Sequence, residues 1–211
     1  MDKNFKFGTI EYVRPDFEKM KKSAFGCAEK IKNATSYDEA KKAFLDFDKE
    51  ESAFFDMVTV ASVRHTIDTS DEFYDKEDEY LNEQIPEYSS AYMELANTLY
   101  DCAFKDDFVK EFGNSMFSNI EIQRKSYCEK NIPLLQKEAK LCSEYEKIIA
   151  SADIVFDGKH LNLYGIMSYF ENADRQVRHD AFKAYSDFYA SHEKRFEEIW
   201  DELIKIRTEQ S

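Results

Sequence analysis

The 211-residue sequence predicts a mainly α fold, a helical bundle of long antiparallel helices with one small β-hairpin near 154–161. Three observations lead there. Only 5 Gly and 3 Pro occur, which leaves little of the turn punctuation an all-β chain needs. Apolar residues recur at three- and four-residue spacing behind helix-capping signatures. The dipeptide Asp157-Gly158 lies between two short β-prone runs and supplies positive φ at both turn positions. At 43% hydrophobic and 15% aromatic, the chain is too apolar for disorder, and a domain of this size buries roughly 70% of its unfolded surface.

Taken in order, Pro15 follows the extended Tyr12-Val13-Arg14 and suits the first turn of a helix over about 16–32, where its missing N–H would be unpaired anyway. Ser36-Tyr37-Asp38-Glu39 is a capping box. It opens the stripe Ala40, Ala43, Phe44, Phe47, Phe54, Met57, Val58, Ala61, broken once at Glu50 and Glu51. Thr69-Ser70-Asp71-Glu72 repeats the capping signature ahead of a third stripe from Phe73 to Leu99, which Pro86 is expected to kink. The second and third helices are expected to pair antiparallel. Shorter helices follow over 105–112, stopped by Gly113, and over 115–127, with Pro133 near the start of another that reaches Ala150.

Ile154-Val155-Phe156 and His160-Leu161 flank the Asp-Gly turn, a brief helix occupies 163–170, and Asp174 caps the last helix. Its apolar positions are Val177, Ala181, Tyr185, Phe188, His192, Phe196, Ile199, Trp200, Leu203 and Ile206. Over 174–207 it would span about 50 Å, and it meets no Gly or Pro before Ser211, as if the sequence stopped within an element. The expected organisation is a helical amino-terminal domain over 1–172 with the hairpin as an insertion, then a long helix over 173–211 leading into a catalytic domain that is missing.

Charge narrows the partners. With 29 basic and 43 acidic residues, the formal net charge is −14, which argues against nucleic acid or an anionic membrane surface as partner. Residues 68–87 hold nine acidic side chains and one lysine, Lys76. Such a run reads as a solvated helix face or, more sharply, as an electronegative rim that draws in cationic ligands. Cys27, Cys102, Cys128 and Cys142 show neither zinc-knuckle spacing nor a disulfide framework, and are read as buried free thiols. Residues 1–7 lack an apolar core with a cleavage site, and no apolar run nears 18 residues, so a cytoplasmic location is expected. The sequon Asn33-Ala34-Thr35 reads as a chance match at a loop.

The residues offer no catalytic or metal constellation. None of His65, His160, His179 and His192 has a Glu three positions before it, so di-iron Glu-x-x-His pairs are absent. His192-Glu193-Lys194-Arg195-Phe196 begins like a zincin helix, but Phe196 replaces the second histidine. His179 and His192 lie about 220° apart around a helix. Asp46, Asp48 and Glu50 imitate the start of a calcium loop, with Glu51 where the turn glycine belongs. Nucleophile elbows, Walker loops and dinucleotide fingerprints are also lacking. The most chemically loaded corner is Ser62-Val63-Arg64-His65-Thr66-Ile67-Asp68-Thr69, read as a structural turn in which Arg64 binds Asp68 or the last carbonyls of its own helix.

Four stretches resemble the amino-terminal region of the oligoendopeptidase F family, zinc metallopeptidases related to thimet oligopeptidase. They are Tyr12-Val13-Arg14-Pro15-Asp16-Phe17; Ala61 to Thr69 with Phe73-Tyr74; Leu141-Cys142-Ser143-Glu144-Tyr145 leading through Ile148 to Phe156-Asp157-Gly158; and Asp174-Arg175-Gln176-Val177-Arg178 with Ala181-Phe182, Ala184-Tyr185 and Phe188. The resemblance implies a helical clamshell around a deep channel. It also implies one zinc held by H-E-x-x-H and a downstream Glu in a carboxy-terminal part, and an amino-terminal half that admits only short, unfolded peptides. No position here matches the family's catalytic or metal residues, so none is assigned, and the substrate-contacting residues stay unknown.

The expectation is therefore the amino-terminal, channel-walling part of an oligopeptide-cleaving zinc metalloendopeptidase. By itself it should be inactive and bind no cofactor. Its expected partners are oligopeptide substrate and the missing catalytic domain. The alternative is a stand-alone helical binding or adaptor protein; a metal-storage protein of the di-iron type is a third reading. Trp200, with Phe196 and Leu203, should either pack on preceding helices or cover a surface meant for the missing half.

Overall fold

A computed structural model describes residues 6–211; residues 1–5, which belong to the stretch read for an export signal, lie outside it. The described chain is mainly α, with one two-stranded antiparallel sheet. It divides into two units, up to Pro133 and from Leu134.

The first unit is built on three long helices, α1 (Phe17–Asn33), α2 (Tyr37–Ile67) and α3 (Glu72–Asp101), followed by α4 (Lys105–Phe112) and α5 (Asn114–Ser126). Asp16, not the first turn beyond Pro15, starts α1: its carboxylate accepts from Lys19 N at 2.9 Å. Only an extended residue just outside the helix can aim its side chain at those orphan N–H groups, so Pro15 is displaced to the position before the cap. Ser36 caps α2 as expected, accepting from Glu39 N at 3.3 Å, while Glu39 turns back to Thr35 N and Oγ1 at 2.9 Å. At α3 the expected Thr69 cap gives way to Asp71, which accepts from Phe73 N and Tyr74 N at 2.9 and 3.2 Å. A carboxylate is the stronger acceptor and adds charge compensation at the positive helix end.

Paired contacts set the directions. Phe17 meets Phe54, Ser23 meets Glu50 and the Cys27 thiol meets Ala43 O, so α1 and α2 run antiparallel. Arg64 meets Tyr74 and Glu51 meets Tyr88, so α2 and α3 do likewise. One face of α1, Phe17, Met20, Ala24, Cys27, Ala28 and Ile31, is buried. Small residues opposite it, Ala40, Ala91 and Ala96, allow close approach. Phe17 is 1% exposed and sits edge-on to Phe54, Tyr80 and Tyr88 at 4.8, 5.8 and 6.4 Å. The gap in the α2 stripe is a polar layer: Glu50 accepts from Ser23 and lies 3.2 Å from Lys19 Nζ, and Glu51 accepts from the Tyr88 hydroxyl. Helix α3 continues through Pro86, where Ser89 and Ser90 hydroxyls donate to Pro86 O and Glu87 O. Gly113, at φ +86°, joins α4 to α5 in a backbone state that a side chain would strain.

The second unit holds nearly all of α6 (Ile132–Ala150), then β1 (Ile154–Phe156), β2 (Lys159–Leu161), α7 (Leu163–Met167) and α8 (Arg175–Glu209). The hairpin pairs Ile154 with Leu161 and Phe156 with Lys159, and its turn puts Asp157 at φ 51° and Gly158 at φ 69°. Both left-handed positions belong to the turn whose twist matches the strands. Helix α7 is shorter than expected and passes into a 3₁₀ turn over Ser168–Glu171. Asp174 caps α8 through Gln176 N at 2.7 Å. The two compact units divide between Pro133 and Leu134, and α8 packs on α7, on the 3₁₀ turn and on β1 and so shares a unit with them. Of the thiols read as buried, only Cys27 is fully so; Cys128 is exposed because it precedes the 3₁₀ turn Glu129–Asn131 outside the core.

Phe17→Ala should lower the unfolding free energy by about 3–5 kcal/mol, since the enclosed ring leaves a cavity between three helices. Urea unfolding followed by far-UV circular dichroism checks it. A loss under about 1 kcal/mol would mean the ring is not enclosed.

Candidate functional site

The loaded corner of the first unit is a clamp on the extended segment that precedes α1. Tyr12 donates its hydroxyl to Glu77 Oε2 at 2.5 Å, Arg14 Nε donates to both Glu77 oxygens at 3.0 Å, and Arg14 Nη2 bonds Oε1 as well. Glu77 is 1% exposed. Burial pushes its carboxyl up, but the bonds from Arg14 and Tyr12 outweigh this and hold it below its ordinary 4.5. Burial, then the Glu77 contact, raises the Tyr12 hydroxyl in turn. The Arg14 guanidinium lies 4.8 Å from the Tyr80 ring centre, and Tyr80 donates to Pro15 O at 3.1 Å.

Arg64 reaches neither Asp68 nor its own helix end. Its Nη2 donates to Ile10 O at 2.6 Å and its Nη1 to the Tyr74 hydroxyl, because the extended segment offers a carbonyl without a helical partner. Asp68 instead accepts from Ser70 N and Oγ at 3.0 and 2.6 Å. His65, 3% exposed, lies 3.4 Å from Asp75 and 3.6 Å from Asp78. The acidic run thus divides by role. Asp71 caps, Glu77 clamps, Asp75 and Asp78 flank His65, and Asp68, Glu72, Glu79 and Glu83 are exposed.

The second unit presents a different surface. Helices α6 and α8 run antiparallel, tied by a two-pronged Arg195–Glu144 bridge at 2.5 Å and by Arg207–Glu138 at 2.8 Å. Ile199, Leu203 and Ile206 face inward with Leu141. Beside them opens an apolar groove of about 470 Å3, walled by Cys142, Tyr145, Phe196 and Trp200 and edged by Glu146 and Glu197. Trp200 is 63% exposed: it belongs to the apolar stripe but sits one residue past the inward line.

The histidines do not converge. Phe196, at the second zincin position, has its ring 5.4 Å from Tyr145 and 5.8 Å from Tyr189. His192 Nδ1 lies 3.0 Å from Phe188 O, and His160 and His179 pair on the surface with Asp153 and Asp180. Asp46, Asp48 and Glu50 lie within α2 and cannot wrap a calcium ion. Among the described residues no group of three or more His, Cys, Asp or Glu could hold a metal. A catalytic zinc therefore does not fit these side chains.

A family model described as the peptidase M3 N-terminal domain matches residues 7–127, more than half of the chain and most of the first unit. The chain belongs to the peptidase M3 family. Solved structures extend the likeness of this M3 chain into the second unit. PZ peptidase A, in a structure with an inhibitor, is 33% identical with a TM-score of 0.93. A chain assigned as oligoendopeptidase F is 32% identical at 0.94, and one so assigned from Bacillus anthracis str. Ames is 30% identical at 0.93. The alignments cover 97%, 98% and 96% of the M3 chain but only 36%, 36% and 37% of those structures, so it spans little more than a third of their length. No curated protein matches it.

Two outcomes follow for the M3 chain. Glu77 ionises more readily folded than unfolded, so its stabilisation is present above its ordinary 4.5 and is lost as pH falls through the lower folded value. Glu77→Gln should unfold at lower urea than the parent at neutral pH, with the difference shrinking on acidification; a difference that stays constant would discount the charge. Trp200→Ala should cost less than about 1 kcal/mol and Leu203→Ala about 2–5 kcal/mol by the same titration. Equal losses would mean that Trp200 is part of the core.

Proposed function

We propose that this M3 chain is the amino-terminal portion of a zinc metalloendopeptidase that cleaves oligopeptides. In that reading it walls the substrate channel and limits entry to short, unfolded chains, while residues outside these 211 hold the zinc. The observation that carries the reading is the lopsided coverage: nearly all of this chain, but only 36–37% of each solved peptidase, is shared. In the whole enzyme the zinc would polarise a water for attack on the scissile carbonyl. What the present residues supply is walls and charge. The net charge of −14 favours peptides bearing basic groups over acidic ones.

The groove beside Trp200 suits a role in joining the two parts, because a large apolar surface edged by carboxylates is what an interdomain contact would cover. A cytoplasmic location, expected from the sequence, belongs to the same proposal.

The test is a pair of assays on a quenched fluorescent oligopeptide. The protein made from the complete reading frame should cleave it, lose activity to a chelator and regain it with zinc, while the 211-residue chain should stay inert at any zinc level. Zinc-dependent turnover by the 211 residues, or a complete reading frame with no peptidase activity, would overturn the proposal.

A further inference from the structure

A second pocket, of about 330 Å3 and open to solvent on one side, is lined only by first-unit residues, from α2, α3 and α5, with the exposed side chains of Asp48, Asn119 and Gln123 at its rim. Its volume falls within the range of small-ligand sites. Phe44 and Met116 are among its apolar walls and Tyr92 adds a ring with a hydroxyl; its other polar groups are the carboxylates of Asp48 and Glu51 and the side-chain amides of Asn119 and Gln123. No Lys, Arg or His is among the described residues that line it.

Glu51 is the group that the fold leaves incomplete. Its Oε1 accepts from the Tyr88 hydroxyl at 2.5 Å. Tyr88 is 4% exposed and wedged against Phe55 and Phe17 at 5.9 and 6.4 Å, so this bond holds the carboxylate in one place. Burial pushes the Glu51 carboxyl above its ordinary 4.5, Tyr88 opposes that, and Asp48 adds to it; among the described residues no Lys, Arg or His forms an ion pair with it. Glu50, one residue earlier, has Lys19 at 3.2 Å, and Glu77 has Arg14. A half-buried carboxylate beside the rings and Met116 of this pocket, with no ion pair among the described residues, is matched by a cation that arrives with an apolar body. The Tyr92 and Phe44 rings can face such a charge, and the Asn119 and Gln123 carbonyls can accept from its N–H groups.

We propose that this cavity is a binding site for a small organic cation, a primary ammonium carrying an aromatic or aliphatic group the size of one large side chain. The ammonium sits on Glu51 and the apolar body lies against Met116 and the rings. Both a free amine and the amino terminus of a short peptide carry this chemistry. The site stands on the first unit alone, independent of the peptidase reading.

The test titrates the full 211-residue chain with 2-phenylethylammonium, with its neutral counterpart 2-phenylethanol and with phenylalanylglycine amide, following the Asn119 and Gln123 side-chain amides by NMR. The ammonium should bind saturably at one site, at least about tenfold more tightly than the alcohol, a gap of about 1.4 kcal/mol. Binding by the dipeptide amide as well would assign the site to amino termini, and its failure would assign it to free amines. Glu51→Gln keeps an acceptor for Tyr88 and should weaken ammonium binding about tenfold or more while leaving the alcohol unchanged. Met116→Trp, which fills the space, should abolish both. Absence of saturable ammonium binding, equal affinity for the alcohol, or an unaltered Glu51→Gln titration in a chain folded by circular dichroism would overturn the proposal.

Discussion

The first unit depends on burying one narrow stripe of α1 against two helices at once. Phe17, Met20, Ala24, Cys27, Ala28 and Ile31 recur at three- and four-residue steps, so a single line of side chains closes against both α2 and α3. Alanines in that line and opposite it let the backbones come close, and Phe17 occupies the end where Phe54, Tyr80 and Tyr88 converge. The Tyr12–Arg14–Glu77 clamp is the continuation of the same constraint. It holds the chain that enters α1 on the first turns of α3, so the helix begins where its stripe can be covered.

Three carboxylates at the helix contacts of the first unit show how placement alone separates chemical roles. Glu77 is enclosed with an arginine and a tyrosine and is held ionised. Glu50, reached by Ser23 and Lys19, is likewise lowered, the Ser23 bond being the larger cause. Glu51, its neighbour in sequence, points away from Lys19 and accepts a hydrogen bond from Tyr88, and its carboxyl is raised by burial. Adjacent helix residues lie about 100° apart, enough to put one acid on a lysine and the next on a tyrosine.

What the sequence made legible was local backbone chemistry. Asp157-Gly158, Gly113, Ser36 and Asp174 each act through their own or adjacent residues, and the structure uses all four where expected. Helix stripes were legible for the same reason, since their period is a property of the chain and not of its partners. Competition between nearby acceptors was less so. Asp71 took the cap from Thr69, and Asp16 took it past Pro15, although each candidate satisfied the pattern. Long-range partners were beyond reach: Arg64 finds Ile10, 54 positions away, and nothing near Arg64 signals that segment's return. The amine cavity could be seen only as a break in the α2 stripe at Glu50 and Glu51. Its far wall comes from Met116 and Asn119, whose facing depends on how Gly113 turns α5. The division at Pro133 was hidden likewise, because it reflects which contacts α8 makes, not any change in composition.

The chain contains a single tryptophan, and it stands in the mouth of the α6–α8 groove, not in either core. Indole emission moves to shorter wavelength as water is stripped from the ring. Filling the groove would therefore report itself in the intrinsic light of the molecule, with no dye attached, against a first unit that contributes no indole signal.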